Sequence, residues 1–265
     1  MSHKIHEAQD RFFRTFVIVF LSLFILILND SQLFAGKANP SKILEDMDRI
    51  IRGNSHKMTV NLEVKTKRWQ RNYKIDIWMK GVDYAFARVL EPHKSEGQGF
   101  LRLKTRLWQY LPSAERTILI PPSLMLDDFL GSDFSNDDFV KLSYFPRDYE
   151  SKILGEEKMD SFKTYHLELT PRPDAPVTYG KLELWLRTSD SAPVQWNFYN
   201  EKLQHIRTLH YSNFKTFGKK EVPTIWKMEN FKDKDRQTTL TILNAEYDID
   251  IPDDFFSRKN LEKYP

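Results

Sequence analysis

The side chains that could perform catalysis are few and scattered in this sequence. Cysteine is absent, which excludes thiol nucleophiles, thiolate metal sites and disulfides. Neither the G-x-S-x-G sequence of serine hydrolases nor the H-E-x-x-H sequence of zinc proteases occurs. His205 and His210 lie five residues apart in a predicted strand, so we expect them on opposite faces and not at one metal. The sequence therefore predicts no enzymatic activity, no metal and no cofactor.

Nucleotide and histidine–carboxylate sites also lack the residues they need. Glycine is scarce, with 9 residues in 265, and the one G-x-G, at residues 97–99, has Arg102 where a dinucleotide-binding loop has its third glycine. His166 and Glu168 share one face of a predicted strand, but no third ligand is evident. A satisfied or surface histidine explains His166 better than a metal site does.

An acidic run between residues 127 and 138 resembles the start of a calcium-binding loop. Asp133, Ser135 and Asp137 match the first three ligand positions. The positions that require glycine and a bidentate glutamate hold Asp138 and Tyr144 instead. Helix capping and surface exposure therefore explain the run better than calcium binding does.

The predicted elements begin with one amphipathic helix. Asn39 followed by Pro40 is typical of a helix N-terminus, and Gly53 lies where a C-terminal glycine is expected. Between them, apolar residues recur at helical spacing: Ile43, Leu44, Met47, Ile50 and Ile51. The pattern predicts a helix of about three turns.

After this helix the apolar period changes from helical spacing to two. Met58 to Val64 and Tyr73 to Met79 alternate apolar and polar residues, and similar runs with short turns follow, which predicts about ten to twelve antiparallel strands. Some strands carry bulky residues on both faces, such as Ile77 beside Trp78. That surplus suggests a curved sheet whose concave side is covered or holds something apolar. A thick sandwich core is the alternative.

Residues 123–142 interrupt the strand pattern. Leu124, Leu126, Phe129 and Leu130 predict a short helix that ends at Gly131. Ser135 and Asp138 then have the spacing of a capping box that opens a second short helix through Leu142. We expect a helical insertion within a sheet protein.

The first 38 residues are interpreted as a secretory signal. An apolar run, residues 16–28, follows Lys4, Arg11 and Arg14, and its thirteen residues suit a signal better than a membrane-spanning helix. An uncleaved N-terminal anchor is the alternative. The mature chain, predicted to start between Gly36 and Asn39, would then form one domain over residues 39–265.

The charge balance argues against nucleic acid as a partner. The whole chain carries 40 basic and 37 acidic residues. Residues 1–38 hold four of the basic and three of the acidic ones, so 36 and 34 remain, a net charge of +2. Nucleic-acid binding domains are strongly basic with a clustered face. An exported chain of mild charge without cysteine suits the periplasm of a bacterial envelope.

Four segments resemble one family. Residues 107–112, LWQYLP, resemble a strand of LolA-type lipoprotein carriers. Residues 129–139, FLGSDFSNDDF, resemble more closely the central segment of the outer membrane lipoprotein-sorting protein group, a LolA-like branch. Residues 223–228 and 251–257 resemble its late strand and C-terminal signature. The resemblance covers about residues 40–262.

The resemblance implies a mainly β fold: a strongly curved antiparallel sheet, an incomplete barrel. An N-terminal helix and the central helical insertion would cover its open side, and an apolar cavity would accept acyl chains. Together with the two-faced strands, it leads us to predict the cavity lining: Ile77, Phe86, Leu101, Trp108, Tyr110, Leu184, Trp196, Trp226 and Met228.

The insertion is predicted to act as a lid on that cavity. Its predicted lid residues are Leu124, Met125, Phe129, Gly131, Ser132, Asp133, Phe134, Asp138 and Phe139. LolA carriers have an arginine in an early strand that helps to hold the lid, and Arg88 is the nearest counterpart. Asp133, Ser135 and Asp138 are expected to fix the turn through backbone hydrogen bonds.

The function implied by the resemblance is that of a periplasmic carrier for a lipid or a lipoprotein. The expected partners are that cargo and an inner-membrane transporter of lipids or lipoproteins, with no nucleic acid, and the protein is expected to be a monomer. Two alternatives remain open: an envelope-stress sensor module of the same fold, and a lipid hydrolase that uses Ser132 and Asp133.

Overall fold

The computed structural model describes residues 38–141, 145–175 and 177–263. Residues 1–37 of the predicted signal segment lie outside these ranges. Leu142, at the end of the predicted lid, also lies outside them. The residues from Pro40 onward form one compact unit.

The described residues contain four α-helices and thirteen strands. The helices are α1 (Pro40–Arg52), α2 (Asn136–Lys141), α3 (Phe145–Asp148) and α4 (Arg258–Lys263). The strands are β1 (Ser55–Lys65), β2 (Gln70–Lys80), β3 (Tyr84–Glu91), β4 (Gly99–Leu103), β5 (Arg106–Leu111), β6 (Arg116–Leu119), β7 (Tyr149–Met159), β8 (Phe162–Pro171), β9 (Lys181–Arg187), β10 (Pro193–Tyr199), β11 (His205–Phe217), β12 (Lys220–Asn230) and β13 (Gln237–Tyr247).

Helix α1 has the bounds that its sequence signals predict. It begins at Pro40 and ends at Arg52. Gly53 follows with a φ of 62°, a left-handed conformation that glycine adopts without the steric cost other residues meet. Ile43, Leu44 and Met47 are buried along its apolar side, so the amphipathic pattern is used for packing.

All thirteen strands in the described ranges belong to one antiparallel sheet with the order β6-β5-β4-β3-β2-β1-β13-β12-β11-β10-β9-β8-β7. The predicted fold class is confirmed: the protein is mainly β, its sheet is not closed into a barrel, and helices are few. The sheet has thirteen strands where ten to twelve were predicted, and its edge strand β6 pairs with β5. At the centre of the sheet, β1 pairs with β13, and Met58 lies opposite Ala245.

The two faces of the sheet are set by strand alternation and register. Cross-strand neighbours point to the same side, so the row Met58, Ile77 and Ala87 lies on one face, which we call the inner face. The row Trp78 and Phe86 lies on the opposite, outer face. Helix α1 and the described part of the lid segment (residues 123–142), which ends at residue 141, cover the inner face at β1, β2, β12 and β13.

The outer face is covered by a C-terminal segment, residues 249–263. Phe256 and Leu261 of this segment are 4% and 0% exposed and pack against Trp78, Phe86 and Leu101. The sheet therefore has a separate apolar cover on each face.

Candidate functional site

An apolar cavity of about 130 Å³ lies between the inner face and its covering segments. Strands β1, β2, β12 and β13 form its floor, and the end of α1 and the lid segment form the rest. Its lining residues are Ile51, Arg52, His56, Met58, Val60, Leu62, Ile75, Ile77, Met79, Phe129, Phe134, Ser135, Asp138, Trp226, Leu240 and Ile242.

The floor of the cavity is aliphatic because alternation and register agree there. Met58 lies opposite Ile77 and Val60 lies opposite Ile75 in the β1–β2 pair. In the β1–β13 pair, Val60 lies opposite Ile242. These five side chains point to one face, and they offer a ligand mainly dispersion and hydrophobic contact.

Four apolar side chains on the floor are only half-buried, although the strands that carry them lie near the centre of the sheet. They are Ile77, Met79, Trp226 and Leu240. By contrast, the inner-face residue Val64 of the same strand cluster is 0% exposed. The cavity floor therefore keeps accessible apolar area beneath the lid segment.

The structure places two of the nine predicted lining residues, Ile77 and Trp226, in this cavity. Leu184, Trp196 and Met228 also point to the inner face, but they are 0%, 2% and 0% exposed. Trp196 lies opposite Leu184, and these three residues form packed core beneath β9–β12. They support the sheet and are not part of the cavity wall.

The other four predicted lining residues lie on the outer face, which corrects the prediction. Phe86 lies opposite Leu101, and Leu101 lies opposite Trp108, while Tyr110 follows at the next position of the same alternation. These four residues pack in the cluster beneath the C-terminal segment. Bulky residues on both faces of a strand here reflect two covered faces and not one cavity.

Arg88 is also placed differently from the prediction. It alternates with Phe86 on β3 and so points to the outer face, away from the lid segment. Its Nη2 donates to the Leu261 carbonyl at 2.7 Å, at the end of α4, and its Nη1 donates to the Gly97 carbonyl. Arg88 therefore holds the C-terminal segment and not the lid.

The lid segment contains less α-helix than predicted. Its first part has two single 3₁₀ turns, Pro122–Leu124 and Phe129–Gly131. Leu130 and Gly131 have φ values of 54° and 75°, which end the helical path there. Only the second predicted helix forms, as α2.

The predicted lid side chains divide between cavity and solvent. Phe129 and Phe134 are each 7% exposed and face the cavity, and the Phe129 ring lies 4.7 Å from that of Phe100 on β4. Met125 is half-buried, whereas Leu124 is 43% exposed and does not line the cavity. Phe139 lies in α2, but its side chain is outside the described part of the structure.

The predicted capping box at the start of α2 is confirmed. The Ser135 N–H donates to Asp138 Oδ2 at 2.8 Å, and the Asp138 N–H donates to Ser135 Oγ at 3.1 Å. Both residues are buried and line the cavity. The box thus fixes the backbone of the lid segment at the cavity wall.

Asp133 attaches the lid segment to the sheet. Its carboxylate accepts hydrogen bonds from Thr238 Oγ1 at 2.7 Å, Arg236 Nε at 2.8 Å and Asn230 Nδ2 at 3.0 Å. The Asp133 side chain has no exposed surface. A buried carboxylate with three donors, one of them charged, is strongly held.

Arg207 of β11 is a second arginine that holds the lid segment, beside Arg236. Its Nη1 donates to the Asp133 carbonyl at 2.6 Å and to Asp138 Oδ2 at 2.9 Å, and Tyr179 donates to Asp138 Oδ1 at 2.6 Å. Sequence reasoning missed Arg207. The signal that could have found it is its alternation with Leu209 and Tyr211, which places a charge on an otherwise apolar face.

Ser132 and Asp133 do not form a hydrolytic pair. The buried Ser132 hydroxyl donates to the Phe129 carbonyl at 2.7 Å and accepts from the Phe134 N–H at 3.1 Å. Its hydrogen bonds therefore go to the backbone of the lid turn, while the Asp133 carboxylate faces the sheet. The arrangement is that of a structural turn.

The three histidines discussed as possible metal ligands, His166, His205 and His210, lie on the outer face. His205 lies opposite Tyr199 and His210 lies opposite Gln195, so a bulge between them puts both on the same face, contrary to the expectation from their spacing. His166 stacks on Trp185 with ring centroids 4.2 Å apart. Among the described residues, no group of three or more histidine and acidic side chains is arranged to hold a metal ion.

Two polar residues of the cavity wall were not anticipated, Arg52 and His56. The His56 Nδ1 donates to the Arg52 carbonyl at 2.9 Å. Burial lowers the pKa of His56 to about 4, because the charged ring loses its hydration. His56 is therefore a neutral part of the wall at neutral pH.

A family model described as an uncharacterized protein matches residues 81–263. The chain belongs to this family. Among solved structures, this chain has the fold of a DUF1329 family protein from Desulfovibrio piger. The TM-score is 0.77, the identity is 20%, and the match covers 84% of this chain and 97% of that chain. No curated protein matches this chain.

Two further solved structures have a similar fold, and one of them is a LolA superfamily protein. A LolA superfamily protein from Nitrosomonas europaea matches with a TM-score of 0.72 and 26% identity, over 84% of this chain and 99% of that chain. A domain assigned as an outer membrane lipoprotein-sorting protein from Vibrio parahaemolyticus matches with a TM-score of 0.74 and 22% identity, over 84% and 98%. In the described ranges, each helix is too short or too polar to cross a lipid bilayer.

Proposed function

We propose that the protein is a periplasmic carrier that binds an acyl chain of a lipid or a lipoprotein in the inner-face cavity and moves it toward the outer membrane. The observation that carries the proposal is the aliphatic floor beneath a polar-anchored lid segment, with half-buried Ile77, Met79, Trp226 and Leu240 facing the cavity. Such a concave apolar site is the usual form of a small-ligand pocket.

The energetics of such a site are those of apolar burial. Removing ~400 Å² of acyl surface from water at ~25 cal/mol/Å² gives ~10 kcal/mol before the costs of association. Because this attraction is not mainly between exposed charges, binding of an uncharged apolar ligand should survive high salt.

The location and partners belong to the same proposal. The basic and apolar pattern within residues 1–38 supports export, and the LolA superfamily fold supports a role in lipid or lipoprotein sorting. A carrier of this kind would be a monomer, and it would receive its cargo from an inner-membrane transporter.

The proposal is tested by ligand extraction and by one pair of variants. Mass spectrometry of an organic extract of the purified protein should reveal an acylated molecule. Ile77→Asp places a charge on the cavity floor and should weaken binding of the neutral fluorescent probe N-phenylnaphthylamine by more than about tenfold, since an unpaired carboxylate is costly in an apolar site.

The matched control is Leu243→Asp, because Leu243 is 52% exposed on β13 and does not line the cavity. This variant should bind the probe like the parent protein. An extract without acylated molecules together with equal probe affinity in both variants would refute the proposal.

A further inference from the structure

The cavity wall contains one buried cation, Arg52, at the last position of α1. Arg52 is 5% exposed and lies among the aliphatic lining residues. Its Nη2 donates to the Asp48 carboxylate. Within the described residues, its Nε and Nη1 are buried without a hydrogen-bond partner. Because Nε carries one hydrogen and Nη1 carries two, three donor hydrogens of this guanidinium have no acceptor.

The surroundings of Arg52 do not supply those acceptors. His56 beside it is neutral at neutral pH, and its Nδ1 already donates to the Arg52 carbonyl. Asp138 is the carboxylate in the cavity lining, and its oxygens accept from Arg207, Tyr179 and Ser135. The Asp138 carboxylate therefore already accepts hydrogen bonds that hold the lid segment.

A second buried arginine adds positive charge on the same face. Arg102 is 0% exposed and lies opposite Ala85, which lies opposite the cavity residue Met79. Burial, together with the nearby charge of Arg52, lowers the pKa of Arg102 to about 10. The charge of Arg147 acts on Arg102 in the same direction as that of Arg52, while the carboxylate of Asp83 acts in the opposite direction.

A helix C-terminus alone does not account for Arg52. Basic residues in a last turn commonly donate to the final carbonyl groups or lie exposed near them. Arg49 does lie exposed in this way, with 64% of its side chain accessible. Arg52 instead points inward, and its described hydrogen bond goes to Asp48. Burial of a guanidinium whose donors lack acceptors costs free energy, and an anionic acceptor that reaches those donors offsets the cost.

We propose that the cavity binds an amphiphile with an anionic head, a carboxylate or a phosphate, which the Arg52 guanidinium recognises while the acyl tail lies along the aliphatic floor. This inference rests on the proposed carrier function and specifies the chemistry of its cargo. Fatty acids and acidic phospholipids are two sources of such a head. A planar guanidinium fits either group through paired hydrogen bonds.

The test compares ligands with the same tail and different heads on the purified, delipidated protein. Hexadecanoic acid, hexadecyl phosphate and hexadecanol each compete against bound N-phenylnaphthylamine. We expect the two anions to displace the probe at concentrations at least about tenfold lower than the alcohol requires. If hexadecanoic acid displaces the probe at lower concentration than hexadecyl phosphate, the result indicates a fatty acid as cargo. The reverse order indicates an acidic phospholipid.

Variants of α1 assign the preference to Arg52. Arg52→Gln should lower the affinity for both anions by about tenfold and leave hexadecanol unchanged. Arg52→Lys keeps the charge without the planar fork and should retain part of the preference. Arg49→Gln, on the exposed side of the same helix, is the matched control and should behave like the parent protein.

The outcomes separate this inference from the proposed function. Equal affinity for acid and alcohol in the parent protein, or an anion preference that persists in Arg52→Gln, would overturn the inference while leaving an apolar carrier intact. Failure of N-phenylnaphthylamine and of all three competitors to bind would overturn both. If circular dichroism shows that Arg52→Gln is unfolded, the parent protein and Arg52→Lys decide the question.

Discussion

The inner and outer covers of the same sheet are held in different ways. The lid segment is anchored to the inner face by Asp133 and Asp138, whose buried carboxylates bind Arg236 and Arg207. The C-terminal segment packs aromatic and aliphatic side chains against the outer face, with Phe256 4% exposed, and Arg88 adds a hydrogen bond to its Leu261 carbonyl. The polar anchor leaves apolar area on the sheet accessible, whereas the apolar cover fills its face.

The comparison teaches how a fold can keep a cavity open. A cover that adheres by hydrophobic contact gains stability from each group it packs against the sheet, and it therefore tends to fill any space. A cover held by a few directional ion pairs keeps its position without filling the area beneath it. The cavity lies on the face whose cover is anchored through the buried carboxylates of Asp133 and Asp138.

The largest effect should follow from loss of packing under the outer cover. Phe256→Ala removes a ring that lies 5.4 Å from Tyr84 and 5.3 Å from Phe255, and it should lower the free energy of unfolding by about 3–5 kcal/mol. Urea unfolding measures this change. Probe affinity of the folded protein should stay the same, because Phe256 is not part of the cavity.

The control for this prediction is Leu203→Ala, since Leu203 is 61% exposed and should change stability by less than about 0.5 kcal/mol. A loss of probe affinity in folded Phe256→Ala protein would contradict the independence of the two covers.

The next effect should come from the anchor of the inner cover. Asp133→Asn removes the buried carboxylate that pairs with Arg236 at 2.8 Å and leaves Arg236 with the more exposed Asp128, so we expect a loss of about 2–3 kcal/mol in the free energy of unfolding. Bound N-phenylnaphthylamine should also dissociate faster, because the lid segment is less firmly held. Stopped-flow dilution measures that rate.

Asp127→Asn is the matched control for the anchor, because Asp127 lies exposed in the same segment. An Asp133→Asn protein with the stability and the dissociation rate of the Asp127→Asn protein would show that the ion pair does not hold the lid.

A pH dependence should arise from the wall of the cavity. His56 has a folded-state pKa lowered to about 4 from its ordinary value of 6.5, so the unfolded chain takes up a proton first as the pH falls. Stability is therefore lost on going down from pH 6.5 to 4, by about 2 kcal/mol between pH 7 and 5. Urea midpoints at several pH values measure the loss.

His56→Gln should remove most of this dependence. His93→Gln should leave it unchanged, because the His93 side chain is 99% exposed. If the parent protein and His56→Gln show equal slopes between pH 7 and 5, then His56 is not the titrating group.

The smallest effect concerns motion of the lid segment. A lid must open more readily than the sheet, so amide hydrogens in 123–142 should exchange faster than those of β1 and β13. Adding hexadecanoic acid should slow that exchange by about tenfold, corresponding to about 1.4 kcal/mol. Core-level protection that does not change with ligand would identify the segment as a static plug.

Local features of this fold could be predicted from the sequence because their signals lie within a few residues. The bounds of α1 follow from Pro40 and Gly53, and the capping box follows from the spacing of Ser135 and Asp138. Strand alternation also gives two faces correctly.

The site itself could be predicted only in part, because its contacts join residues far apart in the chain. Arg207 meets Asp138 across 69 positions, and Arg236 meets Asp133 across 103. Alternation shows that Trp78 and Ile77 face opposite ways, but it does not tell which face is filled and which retains a cavity. That difference depends on the volume of the covering segments.

The pairing of β1 with β13 has a consequence for how the chain can be cut and made. Met58 lies opposite Ala245 at the centre of the sheet, while the other strand pairs join strands that follow one another in sequence. Removing β13 would therefore not trim an edge but divide the sheet between β1 and β12. During synthesis the two halves can form as hairpins, yet they can join only after the last strand has left the ribosome, so this closure of high contact order should limit the rate of folding.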